Sequence, residues 1–260
     1  MSYCSKDRSK LKIVASIEAR MGSSRLPGKV LKPVLGKPSL EWLIDRLGDS
    51  KYLNQIIVAT TDLEKDQPLV DFCKTKNITC FRGSEQDVLD RVLKAVKSVN
   101  ADLIVEITGD ATLNDPDVVD ECIELFLKTD ADYVSNILDR SFPRGIVVQV
   151  FPTAVLEEVA RLTQDPDDRE HVSLYIYNHP ERYQLQNLYA DEARTWPELA
   201  VVLDTPEDYE LIKKIAETLY PQNPKFRTAD IIRLLKERPD IRAINAHIQR
   251  KPVKRLFPAK

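Results

Sequence analysis

Residues 12–37 read KIVASIEARMGSSRLPGKVLKPVLGK, an apolar run followed by a loop rich in glycine and basic residues. The run KIVASI (12–17) has the composition of a buried parallel strand. The loop 19–37 holds three of the chain's seven glycines and five Lys or Arg residues, and no acid lies between Glu18 and Glu41. Because open α/β sheets bind ligands beyond the carboxyl ends of their strands, we expect this loop to bind an anion such as a triphosphate.

Strands and helices alternate through the first half of the chain. Further short β-rich runs lie at 56–60, 78–81, 103–108 and 132–137. Apolar residues at helical spacing lie between them, at 39–47, 68–76, 84–99 and 115–128. Ser39 and Ser84 stand where N-caps are expected. This alternation predicts an α/β domain built on a mostly parallel sheet.

The regular alternation ends near residue 138. Beyond it, strands are predicted at 145–151, 182–189 and 199–204, and helices at 152–162, 165–179 and 205–219. We interpret 139–190 as an insertion into a domain of residues 1–220, serving as a lid, a substrate platform or a dimer arm. Residues 221–260 form a C-terminal extension, with a predicted helix at 226–241 capped by Thr228 and a basic, loosely held tail at 250–260.

The composition is typical of a soluble globular protein. Hydrophobic residues make up 43% and charged residues 30%, and the formal net charge of −3 argues against a protein that coats nucleic acid. The four cysteines and three histidines form no tight cluster, which argues against a structural zinc site. No apolar run approaches the length of a membrane span, and the polar start does not resemble a secretory leader. We therefore predict a cytoplasmic protein with no nucleic-acid or membrane partner.

Two aspartates follow predicted strands. Asp110 comes at the end of LIVEITGD (103–110), and Asp204 ends LAVVLD (199–204). Because parallel strands present their carboxyl ends at one edge of a sheet, we expect both side chains to face a single crevice beside the basic loop. Hard oxygen ligands of this kind hold Mg²⁺ against substrate phosphates. The alternatives are that both aspartates are turn or capping acids and that the loop is a solvated basic turn.

The basic loop does not match the common phosphate-binding motifs. Five residues separate Gly22 from the pair Gly28-Lys29, one more than a P-loop has, and Val30 replaces the metal-binding hydroxyl. The chain also lacks the G-x-G-x-x-G fingerprint of dinucleotide-binding dehydrogenases. The loop therefore belongs to a different class of phosphate site.

The stretch ARMGSSRLPGK (19–29) resembles the N-terminal signature of the cytidylyltransferases that activate acidic sugars, such as CMP-Kdo and acylneuraminate synthetases. It is most similar to the spore-coat polysaccharide branch. The resemblance covers roughly residues 12–220 and continues in order through IIVATT (56–61), FRGSEQDVLDR (81–91), ITGD (107–110), DADYVSN (130–136), REHVSLYIYNHPE (169–181) and DTPEDYELI (204–212). It implies a Rossmann-like nucleotide-diphospho-sugar transferase fold, an α/β/α sandwich, and a homodimer formed through an inserted arm at 139–190.

The resemblance also implies a set of site residues and Mg²⁺ as cofactor. Arg20 and Lys29 would contact the phosphates of CTP, Asp110 and Asp204 would bind the metal, and these four would be the catalytic residues. Arg82 and the segment 84–87 match the region that reads the cytosine. The implied nucleotide site comprises Ala19, Arg20, Met21, Gly22, Ser23, Arg25, Lys29, Arg82, Gly83, Ser84, Asp87 and Asp110.

The chain departs from the family where relatives contact the acceptor. It reads GIVVQVF (145–151), with Gln149, where close relatives carry acids, and ITGDATLNDP (107–116) where they carry I-T-G-D-C-P-L. We predict that Gln149, Arg169 and His171 bind the acceptor, an anionic sugar or a phosphorylated small molecule whose identity stays open.

Three other functions are compatible with these residues. The same chemistry with GTP or another nucleotide needs no change in the phosphate site. A glycosyltransferase of similar fold usually carries a D-x-D metal motif after a strand, and ITGDAT (107–112) offers one acid there. A nucleotide-binding protein without turnover is the non-enzymatic alternative.

Overall fold

The computed structural model describes residues 10–250, and a seven-stranded sheet lies at its centre. The strands are β1 (Ile13–Glu18), β4 (Gln55–Thr61), β5 (Thr79–Gly83), β6 (Leu103–Thr108), β7 (Tyr133–Ser135), β8 (Gln149–Pro152) and β9 (Leu185–Asn187). They lie in the order β5-β4-β1-β6-β8-β7-β9, and β8 is antiparallel to both of its neighbours while the other pairs are parallel. A separate hairpin pairs β2 (Pro33–Val34) with β3 (Lys37–Pro38). The prediction of a mostly parallel α/β sheet is confirmed.

Helices cover both faces of the sheet. They are α1 (Ser39–Leu47), α2 (Gln67–Thr75), α3 (Val88–Ser98), α4 (Pro116–Lys128), α5 (Thr153–Leu162), α6 (Pro166–Glu170), α7 (Leu174–Asn178), α8 (Pro206–Leu219), α9 (Thr228–Glu237) and α10 (Pro239–Arg242). Two short 3-10 helices lie at Lys29–Leu31 and Glu64–Asp66. Because successive strand residues point to opposite faces, β1 places Ala15 and Ile17 in the core under α1, α4 and α8, and Val14 in the core under α3 and α5. The result is an α/β/α sandwich with two apolar cores.

The predicted strand at 199–204 is wrong. Its apolar side chains are buried, but it makes a single bridge, between Arg144 and Ala200, and no ladder. Its backbone instead bonds to loops, since the amide of Val201 donates to the carbonyl of Arg144 at 2.8 Å and that of Leu203 to the carbonyl of Asp110 at 2.9 Å. Burial against the core produced the strand-like pattern without strand pairing.

Three predicted helices have different bounds. The helix expected at 84–99 begins at Val88, and its N-cap is Asp87, whose carboxylate accepts the amide of Asp90 at 2.9 Å. The stretch 165–179 forms two helices, α6 and α7, instead of one. The stretch 226–241 also divides, because Pro239 cannot continue α9 and starts α10. Thr228 is the first residue of α9 and not its cap.

The segment 139–190 contributes β8 and β9 to the central sheet, and its helix α6 packs against α3. The extension beyond residue 220 packs on the domain through α9 and α10, which contact α8. Of the predicted basic tail, Arg250 is bound to Asp208, and residues 251–260 lie outside the described part, as do residues 1–9. Between residues 10 and 250, none of the helices has the length and apolar character needed to traverse a lipid bilayer.

Candidate active site

The conformation of the loop after β1 is fixed by hydrogen bonds to its backbone groups. The carboxylate of the buried Asp66 accepts the amide of Met21 at 2.5 Å, and the carbonyl of Met21 accepts the amides of Ser23 and Gly28, each at 3.0 Å. Gly28 has φ +66°, a left-handed conformation that favours glycine. The 3-10 helix starts at the next residue, so this turn sets the direction in which Lys29 leaves the loop.

Lys29 joins the two predicted metal-binding aspartates. Its Nζ donates to Oδ2 of Asp110 at 2.9 Å and to Oδ1 of Asp204 at 3.3 Å. Arg25 forms a further ion pair with Asp204, and Thr108 Oγ1 donates to Asp110 Oδ1 at 2.7 Å. The structure thus brings together the basic loop and both carboxylates, as the sequence predicts, although Asp204 does not follow a strand.

Gly109 allows β6 to bring Asp110 to this position. Its amide donates to the carbonyl of Glu18 at 2.8 Å, and a Cβ on Gly109 would lie 2.8 Å from that same oxygen. Any other residue there would push the end of β6 away from β1. The glycine before the aspartate therefore keeps Asp110 beside the basic loop.

These residues line a crevice of about 580 Å³ at the carboxyl ends of β1 and β6. The predicted site residues that line it are Ala19, Arg20, Gly22, Ser23, Arg25, Lys29, Asp110, His171 and Asp204. Met21 shapes the loop through its backbone and does not line the crevice. Glu170, at the end of α6, and His171, directly after it, supply the wall of the crevice on the α6 side.

The structure does not bring Arg82 into the crevice. Arg82 lines a neighbouring depression together with Gly83 and Ser84. Its guanidinium donates to the carbonyls of Thr61, Asp62 and Leu63 and to the side chain of Gln67. The predicted projection of Arg82 into the crevice is wrong, because these acceptors hold its side chain against the β4–α2 connection.

Asp87 and Arg169 bind each other. The second carboxylate oxygen of Asp87 pairs with the guanidinium of Arg169, which also donates to the carbonyl of Ala160. Neither side chain lines the crevice; together they fasten α6 to the start of α3.

Gln149 also lies away from the crevice. It is buried, and its Oε1 accepts the hydroxyls of Tyr133 at 2.5 Å and Ser173 at 2.7 Å.

Arg91 lines the crevice and was missed by the sequence analysis. It is 2% exposed, it donates to the carbonyl of Ser84, and its Nε has no hydrogen-bond partner among the described residues. Burial lowers the pKa of its guanidinium, which the nearby Glu18 carboxylate opposes. The available signal was an arginine on the apolar face of α3, beside Val88 and Val92.

The floor of the crevice, together with the layer directly behind it, holds two carboxyl groups. Glu18 lines the crevice from the end of β1. Glu106, in register beside Ser16 and 4% exposed, does not line the crevice but contacts the carboxyl group of Glu18. Burial raises the pKa of Glu106 to about 7, while hydrogen bonds from neighbours including Ser173 lower it in part. Burial and then the charge of Glu106 raise the pKa of Glu18 well above its usual value, against the lowering effect of Arg91. An acid inside the apolar strand LIVEIT was the signal for this pair.

The donor set suits a divalent cation that is shared with a substrate. The two aspartates present hard oxygen atoms to one point, where the Lys29 ammonium lies. Within residues 10–250, no group of three or more His, Cys, Asp or Glu side chains is arranged to hold a metal ion. A cation bound by Asp110 and Asp204 would therefore need further ligands from substrate phosphates and water, as Mg²⁺ usually does.

Comparison with known proteins gives consistent results. The sequence profile of the family described as cytidylyltransferase matches residues 14–228. The spore coat polysaccharide biosynthesis protein SpsF of Bacillus subtilis is 36% identical over 233 residues, covering 88% of this chain and 95% of that protein. A cytidylyltransferase structure from Leptospira borgpetersenii superposes with a TM-score of 0.83 at 32% identity, covering 89% of this chain and 96% of that one.

A more distant structure shares the fold alone. It is a CMP:2-keto-3-deoxy-manno-octonic acid synthetase complexed with CTP, with a TM-score of 0.60 at 18% identity, covering 79% of this chain and 98% of that chain. Its similarity agrees with the α/β/α sandwich described above and, at this identity, carries no residue roles.

Proposed function

The chain belongs to the cytidylyltransferase family, and we propose on this basis that it transfers CMP from CTP to an anionic sugar or a phosphorylated small molecule, releasing pyrophosphate. The observation that carries the proposal is the contact of one ammonium group, that of Lys29, with both Asp110 and Asp204 at the end of the basic loop. This arrangement offers cations for a triphosphate and two carboxylates for a divalent cation in one crevice. The CTP complex of a synthetase with the same fold supports the choice of nucleotide.

The reaction exchanges one phosphorus–oxygen bond for another. A hydroxyl oxygen of the acceptor attacks the α-phosphorus of CTP, the bond to the oxygen bridging to the β-phosphate breaks, and pyrophosphate leaves with that oxygen. The acceptor's proton passes to water. Arg20 and Lys29, at the crevice lining, neutralise charge that builds on the phosphates during this step.

We assign Mg²⁺ to Asp110 and Asp204. When bound, Mg²⁺ would neutralise phosphate charge and polarise the phosphoryl oxygen. Lys29 lies at the point between the two carboxylates, so a cation held there would take its place, and the ammonium would be free to bind the phosphates. Water reaches this point, since 14% of the Lys29 side chain and 24% of the Asp110 side chain is accessible. Asp110→Asn should therefore raise the Mg²⁺ concentration needed for half-maximal rate by at least about tenfold.

The acceptor occupies the wall formed by Glu170 and His171 in this proposal. Arg169 and Gln149 support that wall from behind, through their contacts with Asp87 and Ser173. An anionic sugar is the acceptor class that the named relatives favour, since one acts on a keto-sugar acid and another takes part in polysaccharide biosynthesis. The expected homodimer is checked by light scattering on the purified chain.

Pyrophosphate release tests the proposed function. The protein is incubated with CTP, UTP, GTP or ATP, with Mg²⁺ and a panel of keto-sugar acids and sugar phosphates. We expect release with CTP that requires both metal and acceptor. Release with GTP in place of CTP would overturn the cytidylyl assignment, and no release from any pair, with CTP binding retained, would identify a nucleotide-binding protein without turnover.

A further inference from the structure

A second cavity, of about 760 Å³, is larger than the crevice. The two meet the same segment at opposite ends, because Leu199 and Ala200 line the cavity and Asp204 lines the crevice. The charged and aromatic side chains that line the cavity are Asp139, Arg140, Arg144, Trp196, Glu198, Arg242 and Arg250. Four of these seven are arginines.

Positive charge exceeds negative charge in this cavity. Within residues 10–250, the side chains of Arg144 and Arg242 form no ion pair. The guanidinium of Arg242 lies over the Trp196 ring, 4.8 Å from its centroid, and this contact holds a cation at the wall without neutralising it. Of the two carboxylates lining the cavity, that of Asp139 accepts the hydroxyl of Tyr189 at 3.1 Å. The cavity is therefore suited to an anion.

The same cavity is connected to the catalytic segment by hydrogen bonds. Arg250 and Asn245, which line it, donate to the buried carboxylate of Asp208. That carboxylate also accepts the amides of Asp204 at 3.2 Å and Thr205 at 3.0 Å. An anion that draws Arg250 away from Asp208 leaves the carboxylate to bind these two amides more strongly. Occupation of the cavity would thereby change how firmly Asp204 is held.

We propose that the cavity binds a phosphate-bearing anion, which controls the position of Asp204 through Arg250 and Asp208. Guanidinium groups bind phosphate oxygens through paired N–H donors, so several arginines in one cavity favour a phosphate over a carboxylate of the same charge. The claim that the cavity binds an anion does not depend on the proposed function. The control part, in which the bound anion changes the position of Asp204, rests on the proposed function, because there Asp204 binds Mg²⁺.

Calorimetric titration without CTP tests the binding. Inorganic pyrophosphate is titrated into the wild type, Lys29→Ala, Arg144→Ala and, as a control for loss of an exposed arginine elsewhere, Arg161→Ala. We expect two bound equivalents in the wild type and in the control. Lys29→Ala should weaken only the crevice site, and Arg144→Ala should weaken only the cavity site by at least about tenfold. Arg242→Ala provides an independent variant if Arg144→Ala does not fold.

Two results would contradict the proposal. One is that the wild type binds only one equivalent, and the other is that the affinity for the second equivalent is unchanged in both Arg144→Ala and Arg242→Ala. Ribose 5-phosphate, titrated in the same way, distinguishes a phosphate ester from the free anion as the preferred ligand. This experiment uses no turnover, so its failure is distinct from failure of the proposed function.

The control part is tested by the dissociation constant of Mg·CTP, measured with and without a saturating amount of whichever probe occupies the cavity. Because the probe also competes in the crevice, the same measurement on Arg144→Ala, which keeps the crevice site and loses the cavity site, gives the effect of competition alone. We expect the change in the wild type to differ from that in Arg144→Ala by at least about threefold, and Arg250→Gln, in which the link to Asp208 is broken, to match Arg144→Ala. Equal changes in the wild type and in Arg144→Ala overturn the control.

Discussion

The mouth and the floor of the crevice both carry charged side chains, but they differ in exposure. At the mouth, 60% of the Arg25 side chain, 14% of Lys29 and 17% of Asp204 is accessible, and these groups pair with one another. On the floor and in the layer directly behind it, Arg91 and Glu106 are 2% and 4% exposed. Exposed pairs contribute little to stability and exchange partners readily, whereas buried charges are costly unless neutralised. The mouth is therefore suited to binding a charged ligand, and the floor responds to protons.

The largest effect should follow from removing the ammonium at the mouth. Lys29→Ala is expected to lower kcat/KM about 10²–10³-fold, because one charge contact to the transition state is lost. Folding should be unaffected, since the contact is partly exposed. Pyrophosphate release with saturating Mg²⁺, together with a melting curve, measures both quantities.

Lys37→Ala is the matched control for that variant. Lys37 belongs to the same basic stretch, but it pairs with Asp45 at 2.8 Å and does not line the crevice. Its removal should leave kcat/KM within about twofold of the wild type, as for an ordinary surface substitution. Equal turnover in Lys29→Ala and Lys37→Ala would show that the loop is a solvated basic turn that does not take part in the reaction.

The buried carboxyl group of Glu106 should make the free energy of unfolding depend on pH. Glu106 has its pKa raised from the usual 4.5 to about 7 by burial. Below pH 4.5 the carboxyl is protonated in both the folded and unfolded states. As the pH rises toward 7, the unfolded chain loses the proton more readily, so the wild type loses stability, and the loss is complete above pH 7. Glu106→Gln cannot ionise and should be the more stable protein at pH 8 by roughly 1–3 kcal/mol.

Urea unfolding at pH 5 and pH 8 measures this difference, which should shrink toward the lower pH. Glu64→Gln, at an exposed position in the 3-10 helix before α2, is the control and should follow the wild type at both values. If the stabilities of Glu106→Gln and the wild type differed by the same amount at both pH values, the carboxyl would not be titrating in the folded state.

The sequence predicted the mouth of the crevice better than its floor. Lys29, Asp110 and Asp204 stand out because polar residues follow apolar runs, which is a local signal. Arg91 and Glu106 lie inside elements whose overall pattern is apolar, and their position beneath a crevice depends on how α3 crosses the sheet. Local patterns cannot report such long-range packing.

The same limit explains the errors at Arg82 and at 199–204. Arg82 follows a strand at the expected edge of the sheet, but the carbonyls that hold its side chain belong to residues 61–63, about twenty positions away. Segment 199–204 shows that burial alone produces a strand-like pattern. In both cases the deciding partner was distant in the chain.

The smallest effect we expect concerns the choice of base, and it compares Arg91 on the floor with Arg82 outside the crevice. A cytosine site needs donors for O2 and N3, and Arg91 lines the crevice with a buried Nε that has no partner within the described residues. Such a site discriminates because a mispaired base leaves buried polar groups unsatisfied. We expect CTP to be preferred over UTP in kcat/KM by at least about tenfold, corresponding to ~1.4 kcal/mol.

Two variants test which arginine is responsible for this preference. Arg91→Lys keeps the charge but loses the paired N–H donors, so it should reduce the ratio of kcat/KM for CTP to that for UTP several-fold. Arg82→Lys should lower stability and leave the ratio unchanged. A ratio that falls only in Arg82→Lys would instead show that Arg82, in β5, contacts the base.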